Sequence, residues 1–294
     1  MTIARTLRAA TAASLLALAA ACAQTSETGA PEQVTGDQAA AGAGAEADEV
    51  ALRIEHIGGF VSPSMIAGRL PTATVYSDGR VISEGPQTMQ YPGPALPNVQ
   101  VARITAAEVD ALVQRAIAAG VGSAGDLGQP GVADAPTTRL TVRGDGGEKT
   151  TDVYALSEGA GGAGLTDAQK AARQKLSALV TEVSGLSAKA TSTEQYEPAA
   201  LAVYATPWTV SDVTMDKQPE VAWPGPALPG TTVGGAALNM GCVTVTGDAT
   251  ATVLAAAAKA NAATPWTSAG KRWHLTVRPI LPDEPADCAT LAKE

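Results

Sequence analysis

The sequence is poor in histidine, aromatic residues and positive charge. Of its 294 residues, two are His and 3% are aromatic, and 20 Lys and Arg stand against 29 Asp and Glu, so the formal net charge is −9. A surface that binds nucleic acid needs clustered positive charge, and this composition therefore argues against nucleic acid as a partner. The H-E-x-x-H and G-x-S-x-G motifs are also missing. The sequence predicts no metal or other cofactor and gives no support for an enzymatic activity.

Long apolar runs are missing too, except at the N-terminus. Arg5 and Arg8 precede an apolar run at residues 9–21, and Cys22 follows it. Such a run is too short to span a bilayer, but its charged start and small final residues are typical of a secretion signal. The three alanines directly before Cys22 resemble the bacterial lipobox, which implies that Cys22 is lipidated. Ordinary signal cleavage that leaves this thiol free or disulfide-bonded is the alternative.

Residues 22–49 are predicted to form a disordered acidic tether. They contain six acidic residues, no Lys or Arg and no aromatic residue, which is too little apolar surface to support a fold. A flexible chain of this length reaches roughly 30 Å on average. With a lipidated Cys22, the tether predicts a protein held at the outer face of the cell membrane, with the lipid bilayer as one partner.

Only two cysteines follow Cys22 in the chain, Cys242 and Cys288. An even pair in an exported chain predicts a disulfide, because thiols are oxidised outside the cytoplasm. A metal site is disfavoured, since His56 and His274 are the only histidines that could complete the ligand set. We therefore expect the C-terminal region to be linked covalently to the second half of the chain.

An internal repeat organises the rest of the sequence. The segment Tyr91–Pro97 recurs as Trp223–Pro229, and both share the letters PGPALP after the aromatic residue. Two weaker matches keep the same order, namely Val75–Tyr76 with Val203–Tyr204 and Leu140–Arg143 with Leu275–Arg278. We interpret these matches as two related units, with chance similarity as the alternative. The predicted domains are 50–190 and 191–294, preceded by the signal at 1–21 and the tether at 22–49.

Local patterns predict the elements of each unit. Ser77–Gly79 is a hairpin signal between two short strands, and capping boxes starting at Thr105 and Thr166 mark the beginning of two helices. The second unit repeats the order strand, PGPALP segment, strand, helix, strand, with its helix predicted from about Ala249 to Ala262. Short strands with tight hairpins predict an α+β fold, made of two related units of mostly antiparallel sheet with packed helices.

The PGPALP segments, which we call the first and second strap, are the candidate sites for binding a partner. Proline fixes the backbone and removes a hydrogen-bond donor, so each strap is predicted to be stiff and extended. One interpretation packs the aromatic residue and Leu of each strap on its own sheet. The sharper hypothesis makes the straps a docking surface for an envelope protein or ligand. The candidate binding residues are Tyr91, Pro92, Leu96, Trp223, Pro224 and Leu228.

Three other patterns suggest chemistry only weakly. Gly159–Gly164 fits G-x-G-x-x-G, but no acidic residue follows at the distance that a dinucleotide site needs. Ser268–Lys271 fits S-x-x-K, but it lies in a turn and lacks the companion motifs of acyl-transferring enzymes. The acids at Asp283, Glu284 and Asp287 lack the ligand spacing of a calcium loop. All three are interpreted as structural.

Four segments carry a resemblance to a protein family. They are Asp78–Gly79, the first strap, Asp126–Thr138 and Arg278–Pro282. With these segments, the mature chain resembles a group of uncharacterised exported lipoproteins of high-GC Gram-positive bacteria. The resemblance implies an anchor at Cys22 and brings no activity with it.

The function predicted from the sequence is that of a non-enzymatic binding or envelope-associated interaction protein. One alternative is an envelope-acting hydrolase with a cleft between the repeats, where His56 or His274 would meet a Ser and a carboxylate. A more remote alternative rests on Cys242, Gly270–Arg272 and Cys288, whose arrangement around an Ala-rich helix is similar to that of the bacterial subtilisin inhibitors. It implies a protease inhibitor.

Overall fold

A computed structural model describes residues 48–209 and 218–292. The predicted signal at 1–21, the lipidation site Cys22 and all but the last two residues of the predicted tether lie outside these ranges. The described chain folds into two sheets dominated by antiparallel pairs, with few helices. This arrangement confirms the predicted α+β fold. No helix within the described ranges is long and apolar enough to cross a membrane.

The first sheet has seven strands in the order β6-β5-β1-β2-β3-β4-β7, and all neighbours are antiparallel. The strands are β1 Val50–Ile57, β2 Ala73–Tyr76, β3 Arg80–Glu84, β4 Val99–Arg103, β5 Thr137–Gly144, β6 Gly147–Tyr154 and β7 Glu194–Gln195. The hairpin around Gly79 is confirmed. Strand β1 was not predicted, although it lies inside the sheet. Strand β7 belongs to this sheet and lies beyond the boundary predicted after residue 190.

Helices cover one face of the first sheet. They are α2 Ala106–Ala119, α3 Asp167–Ser184 and α4 Leu186–Lys189, while the short helix α1, Pro63–Ala67, lies in the connection between β1 and β2. Both predicted capping boxes are present, at Thr105 and Thr166. The apolar stripe of α2, including Leu112, packs with Leu52 of β1 and Leu140 of β5 in one core. The opposite face of β1 and β5 carries their polar residues, among them Arg53, Glu55 and Arg139.

The second sheet has six strands in the order β10-β11-β8-β13-β12-β9. The strands are β8 Ala200–Pro207, β9 Val221–Ala222, β10 Thr231–Val233, β11 Met240–Thr246, β12 Trp266–Ser268 and β13 Lys271–Pro279. Strand β9 pairs in parallel with β12, and the other pairs are antiparallel. The core of this unit contains Trp223, Trp266 and Trp273, as expected for a chain with so few large side chains.

Two further helices complete the second unit, α5 Asp248–Ala257 and α6 Cys288–Leu291. Helix α5 ends before the predicted Ala262, because the chain that follows it hydrogen-bonds to the first strap instead of continuing the helix. The disulfide between Cys242 and Cys288 is confirmed, with 6.1 Å between the two Cα atoms. It fastens α6 to β11.

The two units share an element order but differ in sheet topology. In both, a strap is followed by a strand, a helix and a further strand. The matches in sequence pair β2 with β8 and β5 with β13, yet β1 separates β2 from β5 whereas β8 and β13 are direct neighbours. Strand β1 pairs with β5, the first strand after α2, whereas β8 pairs with β11, which precedes α5, and with β13, the second strand after α5.

Candidate functional site

An open groove of about 960 Å³ lies between the polar face of the first sheet and the second unit. We call it the inter-unit groove. Strand β1 runs along it, so that Asp48 lines one end and Gly58 the other. Strands β5 and β6 form its floor beside β1, and residues from β13 to the end of α6 form the facing wall. Five arginines line it, namely Arg53, Arg69, Arg139, Arg143 and Arg278.

The alternation of β5 explains why arginines point into the groove. Thr138, Leu140 and Val142 are buried towards the helices, and side chains on a strand alternate between faces, so Arg139 and Arg143 project to the opposite side. The sequence T-R-L-T-V-R therefore places Thr138, Leu140 and Val142 on the core face of β5, and Arg139 and Arg143 on its polar face.

Cross-strand partners from β6 hold these arginines in place. Arg139 donates two hydrogen bonds of 2.8 Å to Asp152, and Arg143 donates one of 3.1 Å to Glu148. The hydrogen bonds from Arg139 lower the pKa of Asp152, which stays ionised at neutral pH. Between the two pairs, the hydroxyl groups of Thr141 and Thr150 lie 3.2 Å apart. The floor of the groove therefore presents donors and acceptors side by side.

A second set of polar contacts joins the two units. Arg53 of β1 donates to Asp283 across 2.6 Å, and the hydroxyl of Tyr76 donates to the other oxygen of the same carboxylate, also at 2.6 Å. Burial and the negative charge of Asp283 raise the pKa of Tyr76, so the phenol keeps its proton. Asp283 is thereby fixed by two groups of the first sheet.

The adjacent pair Arg278 and Glu284 is the most buried ion pair of the groove. Its two parallel hydrogen bonds are each 2.7 Å, and the side chains are 5% and 6% exposed. Arg278 also donates to the carbonyl of Arg69, and Glu284 accepts from the backbone N–H of Leu281. Burial alone would raise the pKa of Glu284, but the hydrogen bonds and charge of Arg278 outweigh it and lower that pKa.

The two histidines lie in different surroundings. His56 lines the groove, and its Nδ1 lies 3.3 Å from the hydroxyl of Thr138. Burial and the positive charge of Arg69 lower its pKa, which keeps the ring neutral at pH 7. His274 packs against Trp208 with ring centroids 5.0 Å apart, and burial lowers its pKa. Among the described residues that line the groove, none is Ser or Cys, and the hydroxyl hydrogen-bonded to the ring of His56 is that of Thr138.

The first strap crosses to the second unit, contrary to the interpretation that it packs on its own sheet. The N–H of Ala262 donates to the carbonyl of Gly93 across 2.8 Å, and Leu96 packs against the core of the second unit. Tyr91 is 75% exposed, and Pro92 is half-buried. Tyr91 thus keeps a free surface, and its role in docking stays a prediction.

The second strap packs on its own sheet, as that interpretation expects. Trp223 and Leu228 are each 9% exposed in the second core, and the indole N–H of Trp223 donates to the carbonyl of Pro226. Pro224 is exposed. Because Trp223 and Leu228 serve as core residues, a partner would meet Pro224 and the strap backbone rather than these two side chains. Both straps therefore pack on one core.

The remaining sequence candidates are structural. Gly159–Gly164 forms turns after the β5–β6 hairpin, and Ser268–Lys271 forms the tight turn between β12 and β13. Asp283 and Glu284 are committed to arginines rather than to a cation. Residues 48–209 and 218–292 contain no group of three or more His, Cys, Asp or Glu that could hold a metal ion.

Sequence reasoning missed the arginines of the groove. Arg53 lies on β1 and Arg278 on β13, about 225 positions later in the chain. No sequence motif contains both residues. The one local signal is the alternation of β5, which places Arg139 and Arg143 on the face away from the core. No protein-family model, curated protein or solved structure matches the chain, so the site is interpreted from its own geometry.

Proposed function

We propose that this chain is an exported, lipid-anchored binding protein of the cell envelope that acts without enzymatic chemistry. The N-terminal charge and apolar pattern, together with Cys22, support export and lipidation. The disulfide between Cys242 and Cys288 supports an oxidising compartment, because such bonds persist outside the cytoplasm.

The observation that carries the binding role is the inter-unit groove with its charged groups already fixed in place. Arg139 and Arg143 are oriented by carboxylates of β6, and the far wall is held by the pair Arg53 and Asp283. Fixing side chains before binding reduces the ordering cost that a ligand must overcome. The groove suits a polar envelope ligand that both donates and accepts hydrogen bonds.

The composition of the groove favours binding over hydrolysis. A hydrolase of the serine type needs a nucleophile within hydrogen-bond reach of its histidine. His56 has the hydroxyl of Thr138 as its neighbour at 3.3 Å, and Thr138 is a buried residue of the sheet core. This threonine is out of reach of a substrate in the groove.

Two experiments on intact cells test the proposal. A Cys22→Ser chain should leave the membrane fraction, and mass spectrometry of the wild-type N-terminus should find acyl groups on Cys22. For the groove, a photo-crosslinking amino acid at Thr150 on the floor should capture an envelope component. The matched position Thr181, exposed on α3 on the helix side of the sheet, should capture none. Equal capture at both positions, or none at either, would refute the groove as the binding site.

A further inference from the structure

The connection that follows β1 exposes an unusual number of apolar side chains. Phe60, the only Phe of the sequence, is 86% exposed, and Val61, Met65 and Ile66 are 38%, 60% and 43% exposed. Helix α1, which carries the last two, has no buried residue. We call residues 60–66 the apolar tip. Solvent contact of four apolar groups within seven residues is typical of a surface that is covered by something else.

The apolar tip is held firmly by its flanks. The N–H of Phe60 donates to the carbonyl of Asp134 across 3.0 Å, and the hydroxyl of Ser62 caps α1 with Pro63 at its first position. Behind the tip, Arg69 donates to the carbonyls of His56 and Gly58, both at 3.0 Å. The exposure is therefore a property of a fixed conformation.

Charge is missing from the tip and its flanks. Residues 57–68 contain no Asp, Glu, Lys, Arg or His, in a chain whose net charge is −9. Arg69 follows at once, and its hydrogen bonds in the described structure go to backbone carbonyls. An uncharged apolar protrusion with a cation at its base suits the boundary between lipid headgroups and acyl chains. Because the tip has no acidic residue, it also avoids the electrostatic repulsion between this acidic protein and an anionic membrane surface.

The position of the tip matches the length of the tether. The segment from Cys22 ends where β1 begins, and the tip follows where β1 ends. An eight-residue strand spans about 25 Å, and a flexible chain of the length predicted for the tether reaches roughly 30 Å on average. The tip therefore comes within reach of the same bilayer that would hold Cys22.

We propose that the apolar tip inserts into the headgroup region of the phospholipid bilayer and serves as a second membrane contact. This inference rests on the proposed lipid anchor. A tether alone leaves the orientation of the folded part free, whereas a second contact at the tip holds the end of β1 at the membrane surface. The inter-unit groove follows β1, so this contact restricts the orientations that the groove can take relative to the membrane.

The test uses the full-length acylated protein in vesicles of phosphatidylcholine and phosphatidylglycerol. Met65→Cys carries an environment-sensitive fluorophore, and Gln114→Cys, exposed in the middle of α2, carries the same fluorophore as the matched control. We expect lipids spin-labelled at carbon 5 of the acyl chain to quench the probe at Met65 several-fold more than the probe at Gln114. Interfacial segments lie roughly 5–10 Å into this boundary, where that quencher resides. Adding Phe60→Ser and Val61→Ser, neither of which lines the groove, should remove the difference while the melting temperature stays the same.

Three outcomes overturn the inference, and they are distinguishable. Equal quenching at both positions in protein that floats with the vesicles refutes the membrane contact and leaves the lipid anchor standing. Protein that does not float, with an unmodified Cys22 by mass spectrometry, refutes the anchor and the membrane contact together. A Met65 probe that is shielded without vesicles, in a concentration-dependent manner, assigns the tip to a second copy of the chain.

Discussion

The ion pair between Arg278 and Glu284 offers the sharpest test of how the buried charges beside the groove are stabilised. We consider Glu284→Gln, which keeps the shape of the side chain and removes its charge. Arg278 would then stay buried with its guanidinium beside an amide, while its hydrogen bonds to the carbonyls of Arg69 and Pro279 remain. Neither carbonyl carries the net charge that Arg278 needs as a counterion.

The size of the effect follows from burial. Removing one member of a buried pair costs about 3–5 kcal/mol, because the other charge is left uncompensated. The amide of Gln still accepts one hydrogen bond from Arg278, so we expect the free energy of unfolding to fall by about 3 kcal/mol, the lower end of that range. For the exposed pair Arg139 and Asp152, Asp152→Asn should cost less than about 1 kcal/mol. A double change of Arg278 to Met and Glu284 to Leu should recover most of the loss, because no charge stays buried.

Urea unfolding measures these differences, followed in parallel by tryptophan fluorescence and circular dichroism. All four tryptophans lie in the second unit, so fluorescence reports that unit while circular dichroism reports both. If Glu284→Gln costs no more than Asp152→Asn, or if the double variant is as unstable as Glu284→Gln, the reasoning from an uncompensated buried charge is wrong.

Three more predictions concern pH, the disulfide and a helix cap. The pKa of Glu284 in the folded state lies below its unfolded value of about 4.3. The ion pair therefore contributes its full stabilisation above that value and loses it as pH falls through the folded pKa. We expect the difference in melting temperature between wild type and Glu284→Gln to shrink below about pH 4. Replacing Cys242 and Cys288 by Ala should lower the free energy of unfolding by about 4 kcal/mol, which is the chain-entropy value for this loop, in urea titration. Thr105→Ala removes the cap of α2 and should cost about 1 kcal/mol by the same method.

Each of these three predictions has its own control. A constant difference in melting temperature from pH 7 to pH 3 would contradict the assignment of the pH effect to Glu284. Reduction of wild-type protein should match the double Ala variant, and a stable reduced form would contradict the disulfide estimate. Thr181→Ala, on the exposed face of α3, removes no N-cap side chain; it should leave stability nearly unchanged, and a loss equal to that of Thr105→Ala would contradict the capping argument.

Elements with strong local signals could be predicted from the sequence. The capping boxes at Thr105 and Thr166 start helices where expected, because an N-cap side chain and its partner three residues later satisfy orphan N–H groups without outside help. The hairpin at Gly79 forms because this residue adopts a φ of 85°, which glycine allows at little cost. Such signals depend on interactions between residues that are close in the chain, so they do not depend on how the rest of the chain folds.

Strand β1 escaped prediction because its pattern is interrupted. The pairing of β1 with β2 shifts register between Val50 and Leu52, which leaves Ala51 and Leu52 buried in succession and breaks the alternation expected of a half-buried strand. Beyond that point Arg53 and Glu55 face the groove. Over its full length, the sequence of β1 is therefore neither continuously apolar nor evenly alternating.

The groove depended on contacts that no local pattern encodes. Arg53 and Asp283 are 230 positions apart, and each residue alone fits a solvated surface. The same holds for the first strap, whose Leu96 packs on the other unit. A stiff Pro-rich segment fixes its own shape but carries no information on the surface it meets.

The separation of 230 positions between Arg53 and Asp283 also determines when the groove acquires its second side. Ribosomes make the chain from its N-terminus, so all strands of the first sheet exist long before the wall at Arg278, Asp283 and Glu284 is synthesised. Until then Arg53 has no counterion from the C-terminal region, and the floor lies bare. The facing wall is therefore the last part of the groove to be synthesised, and products truncated before Arg278 lack this side of the groove.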